Sequence, residues 1–167
     1  MPGDHYLWIK GIKGESAAQG LTPDAGGDGY IELSSFSLGA SNPADVGGGG
    51  LSAGKCSLSD FSFTCDLDSS STKILAALYN GTHIPTCTFI SRKSTGAGTP
   101  FTYVEVDMTD CYITSHSTGG GASGVPSQSV SFAYAKIQFQ YSTQDTSSGS
   151  VTNAGTATYD IRLTQQT

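Results

Sequence analysis

The chain has 167 residues, which fits one compact domain, and 37% of them are hydrophobic, enough for a core. Only 13% are charged and the net charge is −6. This balance argues against a nucleic-acid-binding protein, which needs clustered Lys and Arg to displace counterions from phosphates. A surface poor in charge and rich in Ser, Thr and Gly fits a chain whose exterior meets other copies, and it also fits a secreted β-protein.

The N-terminus and the cysteines bear on the cellular compartment. The first five residues, MPGDH, carry neither a basic nor an apolar signal segment, and no run approaches the ~18 apolar residues of a membrane span. We therefore expect a chain that begins in the reducing cytoplasm with four free, mostly buried thiols, one or two disulfides being the alternative. Without a C-x-x-C pair, a structural zinc site is not expected at Cys56, Cys65, Cys87 and Cys111.

The first part of the chain alternates apolar and polar residues with period 2, which is typical of strands. Strands are predicted over residues 6–12 and 29–38. The loop between them, residues 14–29, contains several glycines and a proline that interrupt regular structure.

A tract of four glycines, residues 47–50, precedes a third predicted strand over residues 54–65. Ordering glycine costs more backbone entropy than ordering other residues, so the tract is either free to move or in close contact with another backbone. Within the third strand the apolar positions change phase between Leu58 and Phe61. A phase change of one residue moves every following side chain to the opposite face of the sheet, which predicts a β-bulge near residues 59–60.

One segment departs from the strand pattern and predicts the only helix, at about residues 70–80. A serine within 69–71 can cap its N-terminus, Ile74 and Leu78 are spaced i,i+4, and Gly81 suits the left-handed position after its end. The helix therefore has a start signal, an apolar face and a stop signal.

The rest of the chain returns to strand patterns, over residues 86–92, 101–109, 111–117, 128–141 and 157–164. The long strand changes phase between Tyr134 and Ile137, which predicts a bend that serves a barrel or two packed sheets. We find no internal repeat and no long linker. The sequence thus predicts a single mainly β domain over residues 1–167, a barrel or sandwich with one helix.

Candidate catalytic, cofactor-binding and metal-binding groups lack the surroundings that such chemistry needs. No G-x-S-x-G or H-E-x-x-H motif is present, and the glycine tract is followed by a strand rather than by the helix of a phosphate loop. Carboxylates before the helix suit its dipole, and carboxylates on one strand face are more often solvated than catalytic. We expect no such site at the residues considered, which are His5, His83, His116, Asp66, Asp68, Glu105 and Asp107.

Several short segments occur in a characteristic order. They are KGES at 13–16, the glycine tract with AGK at 53–55, DFSFT at 60–64, G-x-H-I-P at 81–85, S-x-S-x-G-G at 115–120, FAYAKI at 132–137 and YDIR at 159–162. In this order the chain resembles the Hcp (haemolysin-coregulated protein) family, the tube protein of bacterial type VI secretion. The resemblance covers almost the whole chain and rests on collinearity rather than on one motif.

The resemblance implies a small β-barrel of two packed antiparallel sheets with one short flanking α-helix. It implies a homo-hexameric ring that stacks into a hollow tube, with a contractile sheath, a spike-tip protein and effector proteins as partners. Catalysis, cofactors, nucleic acid and membrane insertion are not implied. Such a protein is assembled in the bacterial cytoplasm and exported to the extracellular space or a target cell without a cleaved signal peptide.

Ring stacking needs a segment that reaches out of the ring plane, and residues 38–55 are the best candidate because glycine lets a backbone lie close to a neighbour. The expected subunit and ring-stacking contacts are Leu38, Asn42, Asp45, Gly47, Gly48, Gly49, Gly50 and Lys55. The alternative function is a secreted β-sandwich module that binds carbohydrate or protein. It predicts a removed signal peptide and a platform of aromatic side chains, whereas Trp8 is expected in the core.

Overall fold

The structure, a computed structural model, describes residues 4–16, 18, 21, 29–45, 47, 52–94, 100–122, 124–145, 147–163 and 165–166. In chain order its elements are β1 (Asp4–Ile9), β2 (Ile31–Leu33), β3 (Ser35–Ser37), β4 (Ala40–Ser41), β5 (Ala44–Asp45), β6 (Ser52–Ala53), β7 (Ser57–Leu58), β8 (Phe61–Asp66), α1 (Ser71–Asn80), β9 (Ile84–Lys93), β10 (Phe101–Gly119), β11 (Ser127–Gln144), β12 (Val151–Asp160) and β13 (Gln165–Gln166). Among the described residues, no helix is both long and apolar enough to cross a bilayer.

The first layer is an antiparallel sheet in the order β12-β11-β10-β9-β1-β2, with β13 paired to the end of β12. The period-2 pattern explains how its strands divide their side chains between two faces. In β1, Leu7 and Ile9 belong to the core, whereas the alternate residues Tyr6 and Trp8 are buried on the opposite face.

The second layer contains β3 and β8. Strands that belong to both layers join it to the first. Strand β11 pairs with β8 through residues 127–132 and with β12 through residues 136–144, and it pairs with β10 over both parts. The segment 31–37 divides at Ser34, because β2 pairs with β1 and β3 pairs with β8. The two layers therefore pack face to face as in a β-sandwich and are connected at their corners.

Phenylalanine rings form the centre of the core between the layers. Phe61 is 0% exposed, and its ring centroid lies 5.1 Å from that of Phe132 and 5.5 Å from that of Phe89. Phe36 lies at the edge of this cluster, 4.3 Å from Phe89 and 38% exposed. Burial of each such ring contributes about 1.5–3 kcal/mol, so this cluster is a main source of stability.

The predicted helix is confirmed as α1, but the predicted serine cap is wrong, because the N-cap residue Ser70 makes no capping hydrogen bond through its side chain. Before its first turn, Asp68 Oδ1 accepts a hydrogen bond from the Ser70 amide at 2.9 Å, and the Asp68 amide donates to Ser71 Oγ at 3.0 Å. The helix ends at Gly81, whose φ of 60° is the left-handed conformation that glycine adopts without a Cβ clash. Ile74 is fully buried and fixes the inner face of the helix against the core beside β10.

Two early strand predictions are wrong in extent. The first strand ends at Ile9 rather than at residue 12, because Gly11 turns the chain with a φ of 84° and the Ile12 amide donates back to the Ile9 carbonyl at 3.0 Å. Residues 29–38 do not form one strand, because the chain changes pairing partner at Ser34. Both departures occur where the backbone turns or moves between layers.

The predicted β-bulge at residues 59–60 is also wrong. The phase change there marks the passage from β7, which pairs with β4, to β8, which pairs with β3 and β11. The amide and hydroxyl of Ser59 each donate to the Gly39 carbonyl at 2.9 Å, which holds the chain at this break. The phase change in the long strand is confirmed, since Tyr134 and Ile137 are both buried where β11 passes from β8 to β12.

The mainly β class, the two packed antiparallel sheets and the short flanking helix are confirmed. A closed barrel is not, because β8 leaves β11 at Phe132 and β12 then pairs with β11 in the other layer. The predicted break between residues 109 and 111 is absent as well. Strand β10 runs without interruption through Asp110, although that residue has a φ of 55°.

The predicted burial of most cysteines is confirmed for Cys65, Cys87 and Cys111, whereas Cys56 is half-buried. A hydrogen bond with Cys111, together with burial, raises the pKa of the Cys87 thiol well above its ordinary value. Burial raises the pKa of Cys65 to about 11. Cys65 and Cys87 therefore stay protonated near neutral pH and pack as small apolar groups. All four cysteines are free, as predicted.

Candidate assembly surface

The segment 38–58, here called the arm, contains two short antiparallel ladders that lie outside the main sheet. Strand β4 pairs with β7 and strand β5 pairs with β6, each as a separate two-stranded sheet. The described side chains of the arm are mostly exposed, so packing against the core contributes little to its order. The arm therefore offers backbone and side chains to contacts outside the chain.

A glycine is required inside the arm, at Gly54. Its amide donates to the Pro43 carbonyl oxygen at 2.8 Å, and a Cβ at this position would lie 2.5 Å from that oxygen and 2.7 Å from Pro43 Cγ. Both distances are too short for any side chain. The close approach of the two sides of the arm thus depends on the absence of a side chain here.

The structure places five of the eight predicted contact residues along the arm. Leu38 is half-buried against the core, Asn42 and Lys55 are exposed, and the backbone of Asp45 pairs with Ser52 in β5 and β6. Gly47 is exposed in a bend beyond β5. The remaining three predicted residues, Gly48, Gly49 and Gly50, lie outside the described residues.

A groove of 490 Å³, here called the arm groove, lies where the arm meets the first layer. It brings Leu38 and Asn42 together with residues of β7, β11 and β12 that the sequence did not single out. Its described lining carries no charged side chain and consists of Leu38, Gly39, Ala40, Asn42, Cys56, Leu58, Tyr134, Ile137, Phe139, Ala157, Thr158 and Tyr159. In the sequence of β11 the apolar positions change phase after Tyr134. That change is the signal that could have indicated which residues of β11 form the floor of the arm groove.

A hydrogen bond connects the floor of the arm groove to Ser59, the residue that directly follows the arm. The Tyr134 hydroxyl donates to the Ser59 carbonyl oxygen at 2.9 Å. Burial, and then the negative charge of Asp60, raise the pKa of Tyr134 to about 12, so the hydroxyl remains a donor at all physiological pH values. The base of the arm is therefore held in place even though its outer part is exposed.

A polar cluster around Asp110 lies on the surface near the end of α1. The two carboxylate oxygens of Asp110 each lie 2.8 Å from a neighbour, one from His83 Nε2 and the other from Arg162 Nη1. Arg162 also donates to Asp160 through Nε at 3.3 Å. The sequence pattern singled out His83 but not Asp110, although Asp110 stands alone between the predicted strands 101–109 and 111–117.

Three of the other chemical candidates, His5, His116 and Asp107, take part in structural contacts. His5 Nδ1 lies 2.9 Å from Ser91 Oγ, but Ser91 is only 1% exposed and cannot meet a substrate. His116 Nε2 lies 2.9 Å from Gln128 Oε1. Thr88 Oγ1 donates to Asp107 Oδ1 at 2.9 Å. Among the described residues, no cluster of three or more His, Cys, Asp or Glu side chains could hold a metal ion.

Trp8 bears on the alternative of a carbohydrate-binding module, which predicts an exposed aromatic platform. Trp8 is 5% exposed, as expected for a core residue, and its Nε1 has no hydrogen-bond partner among the described residues. A side chain this buried cannot stack on a sugar ring, so the tryptophan offers no support for that alternative.

Comparison with known proteins identifies the family. The model of the family described as "Type VI secretion system effector, Hcp" matches residues 6–141. The chain therefore belongs to the Hcp family of type VI secretion proteins. A search of curated proteins finds no match.

Solved structures agree with this assignment. A structure of a type six secretion system protein is 25% identical, with 99% of each chain covered and a TM-score of 0.85. A type VI secretion system effector from Yersinia pestis is 27% identical, with 95% of this chain and 100% of that chain covered and a TM-score of 0.71. Hcp1 from Salmonella typhimurium, at 24% identity, full coverage of both chains and a TM-score of 0.75, is similar in fold.

Proposed function

We propose that this chain is a structural tube subunit of a type VI secretion system, a contractile injection machine. Six copies form a ring, and rings stack into a hollow tube that delivers effector proteins. Membership of the Hcp family over residues 6–141 is the observation that carries this proposal. A contractile sheath, a spike-tip protein and effectors are its partners, and the tube is assembled in the cytoplasm and then exported.

The arm and the arm groove support a role in assembly. The described residues of the arm are mostly exposed and pair in two short ladders, and Gly54 lets the two sides approach closely. The arm groove beside it is apolar and uncharged along its described lining. Exposed apolar grooves next to exposed strands are typical of surfaces that meet other subunits. We assign ring stacking to the arm, through Leu38, Asn42, Asp45, Gly47, Gly48, Gly49, Gly50 and Lys55.

The proposal predicts rings of six copies, alone or stacked, in the purified protein. Negative-stain electron microscopy over a concentration series shows particle symmetry, and light scattering after size exclusion gives the mass. A mass of six chains with ring-shaped particles is the expected result, because a heterologous interface closes into a ring when its rotation fits. A strictly monomeric protein at the highest soluble concentration would contradict the proposal.

A further inference from the structure

A second groove, here called the helix groove, lies between α1 and the end of β1, outside the arm. Its volume is 490 Å³. Three buried apolar side chains from separate segments form its floor, those of Ile12, Ala77 and Ile84. Ala76 and Pro85 are exposed beside them. The helix groove therefore offers an apolar floor that is open to solvent.

Two exposed lysines stand at the rim of the helix groove, each on a fixed stretch of backbone. The Lys10 amide donates to the Thr86 carbonyl of β9 at 3.1 Å. Lys73 lies in the first turn of α1, next to the fully buried Ile74. These backbone contacts keep two positive charges beside the apolar floor.

Neither rim lysine has a carboxylate partner in the part of the chain that the structure describes. The ion pairs found there use His83 and Arg162 as their cations. No carboxylate is among the described lining residues of the helix groove. Since the whole chain has a net charge of −6, the helix groove is opposite in sign to the chain as a whole. Complementary charge therefore selects an acidic partner.

The acidic surface of this chain does not match the helix groove. Five carboxylates lie together, but they line a cleft of the fold and do not project from it. They belong to Asp4, Glu15, Glu32, Asp66 and Asp68. A groove is filled by a projecting side chain, so a second copy of this chain does not supply the occupant through this surface.

We propose that the helix groove binds an acidic segment of a different protein. One apolar side chain of that segment lies on the floor, and carboxylates on either side of it pair with Lys10 and Lys73. The exposed Asn80 amide and Thr82 hydroxyl add hydrogen-bond donors at the same rim. Apolar burial supplies affinity, and the charges supply selectivity and orientation. The inference goes beyond the proposed function, because it needs no contact between copies and lies outside the arm.

Fluorescence anisotropy with a defined peptide tests this site. The probe is a fluorescein-labelled peptide with one central leucine between two runs of aspartate, and we expect saturable binding to the purified protein at low salt. A peptide with serine at the centre is expected to bind at least about tenfold more weakly, because it has no apolar side chain for the floor. A peptide with asparagine in place of every aspartate is expected not to bind.

Charge variants of the protein test the rim. Lys10→Gln/Lys73→Gln is expected to weaken binding of the leucine peptide at least about tenfold at low salt, and by less at high salt, where ions already screen the contact. Lys93→Gln/Lys136→Gln removes the same two charges away from the groove lining and is expected to change binding less than about twofold. Circular dichroism verifies that each variant is folded.

A steric variant tests the floor. Ala76→Phe fills the helix groove without changing charge, so we expect the leucine peptide to bind about tenfold more weakly. The leucine and serine peptides are then expected to bind this variant equally, because the floor no longer distinguishes them. Ala154→Phe, the same substitution at an exposed residue of β12, is the control and is expected to bind as the unmodified protein does.

The outcomes separate this inference from the proposed function. Equal binding of the leucine and serine peptides to the unmodified protein, or equal losses in the two lysine double variants, would overturn the inference, because only long-range attraction would remain. Binding of dodecanoate, a lipid-like anion, without binding of the leucine peptide would also overturn it. Electron microscopy of the same samples reports on rings independently. Rings without peptide binding would leave the proposed function standing, and peptide binding without rings would overturn the proposed function alone.

Discussion

At the scale of single residues, backbone conformation decides which side chains are possible. Asp110 has a φ of 55° in the middle of β10, a conformation that costs most residues about 1–2 kcal/mol and that Asp and Asn tolerate best. Its carboxylate also joins His83 of the segment after α1 to Arg162 beyond β12. A polar residue at this place is thus explained by both its backbone and its contacts.

Substitution of Asp110 separates these two effects. Asp110→Asn keeps the tolerance for the left-handed conformation, so we expect a loss of about 0.5 kcal/mol, since the ion pairs are partly exposed and screened. Asp110→Ala also loses that tolerance and is expected to cost about 2 kcal/mol. Urea unfolding measures both values. Equal losses for the two variants would mean that the backbone at residue 110 carries no strain.

At the scale of elements, the arm combines a part that pairs locally with a glycine-rich part. Its ladders β4–β7 and β5–β6 are short and separate from the main sheet. Such ladders are marginal by themselves, because two-stranded hairpins without a packed face have little stability in water. The arm is therefore suited to gain order when another surface covers it.

Replacement of the glycine tract tests the role of the arm. Changing Gly47, Gly48, Gly49 and Gly50 to glutamine is expected to abolish stacking while rings and circular dichroism remain unchanged, because bulky side chains keep the neighbouring backbone away. Electron microscopy counts stacked and single rings. Gly155→Gln is the control, since a Cβ added to this exposed glycine of β12 would meet no atom within 4 Å. Loss of the fold itself would show that the tract lies in the core.

At the scale of the whole molecule, stability comes from the aromatic core that joins both layers. Phe61 of β8 contacts Phe132 of β11 and Phe89 of β9, so one ring connects strands from the two layers. The core is continuous from α1 to β11. The domain is therefore expected to unfold as one cooperative unit.

Truncation of this ring is expected to destabilise the whole domain. Phe61→Ala removes a fully buried side chain and leaves a cavity, for which we expect a loss of about 3–5 kcal/mol in the free energy of unfolding. Tyr79→Ala removes a ring that is 78% exposed and is expected to change stability by less than about 0.5 kcal/mol. Thermal and urea unfolding measure both variants. A small effect at Phe61 would contradict a single core.

The sequence by itself determined the strand periodicity, the helix and its ends, and the family, because these depend on local patterns and on the order of short segments. Residues 70–81 carry an apolar face and the stop signal of Gly81, so the prediction of α1 needed no tertiary information, although Asp68 rather than a serine accepts the hydrogen bond before the first turn. Only the tertiary structure decided which strands pair. In the sequence, a bulge and a passage between layers would both produce the phase change before Phe61. Only the observed strand pairing distinguishes the two. The arm groove likewise joins residues distant in the chain, which no local pattern can place side by side.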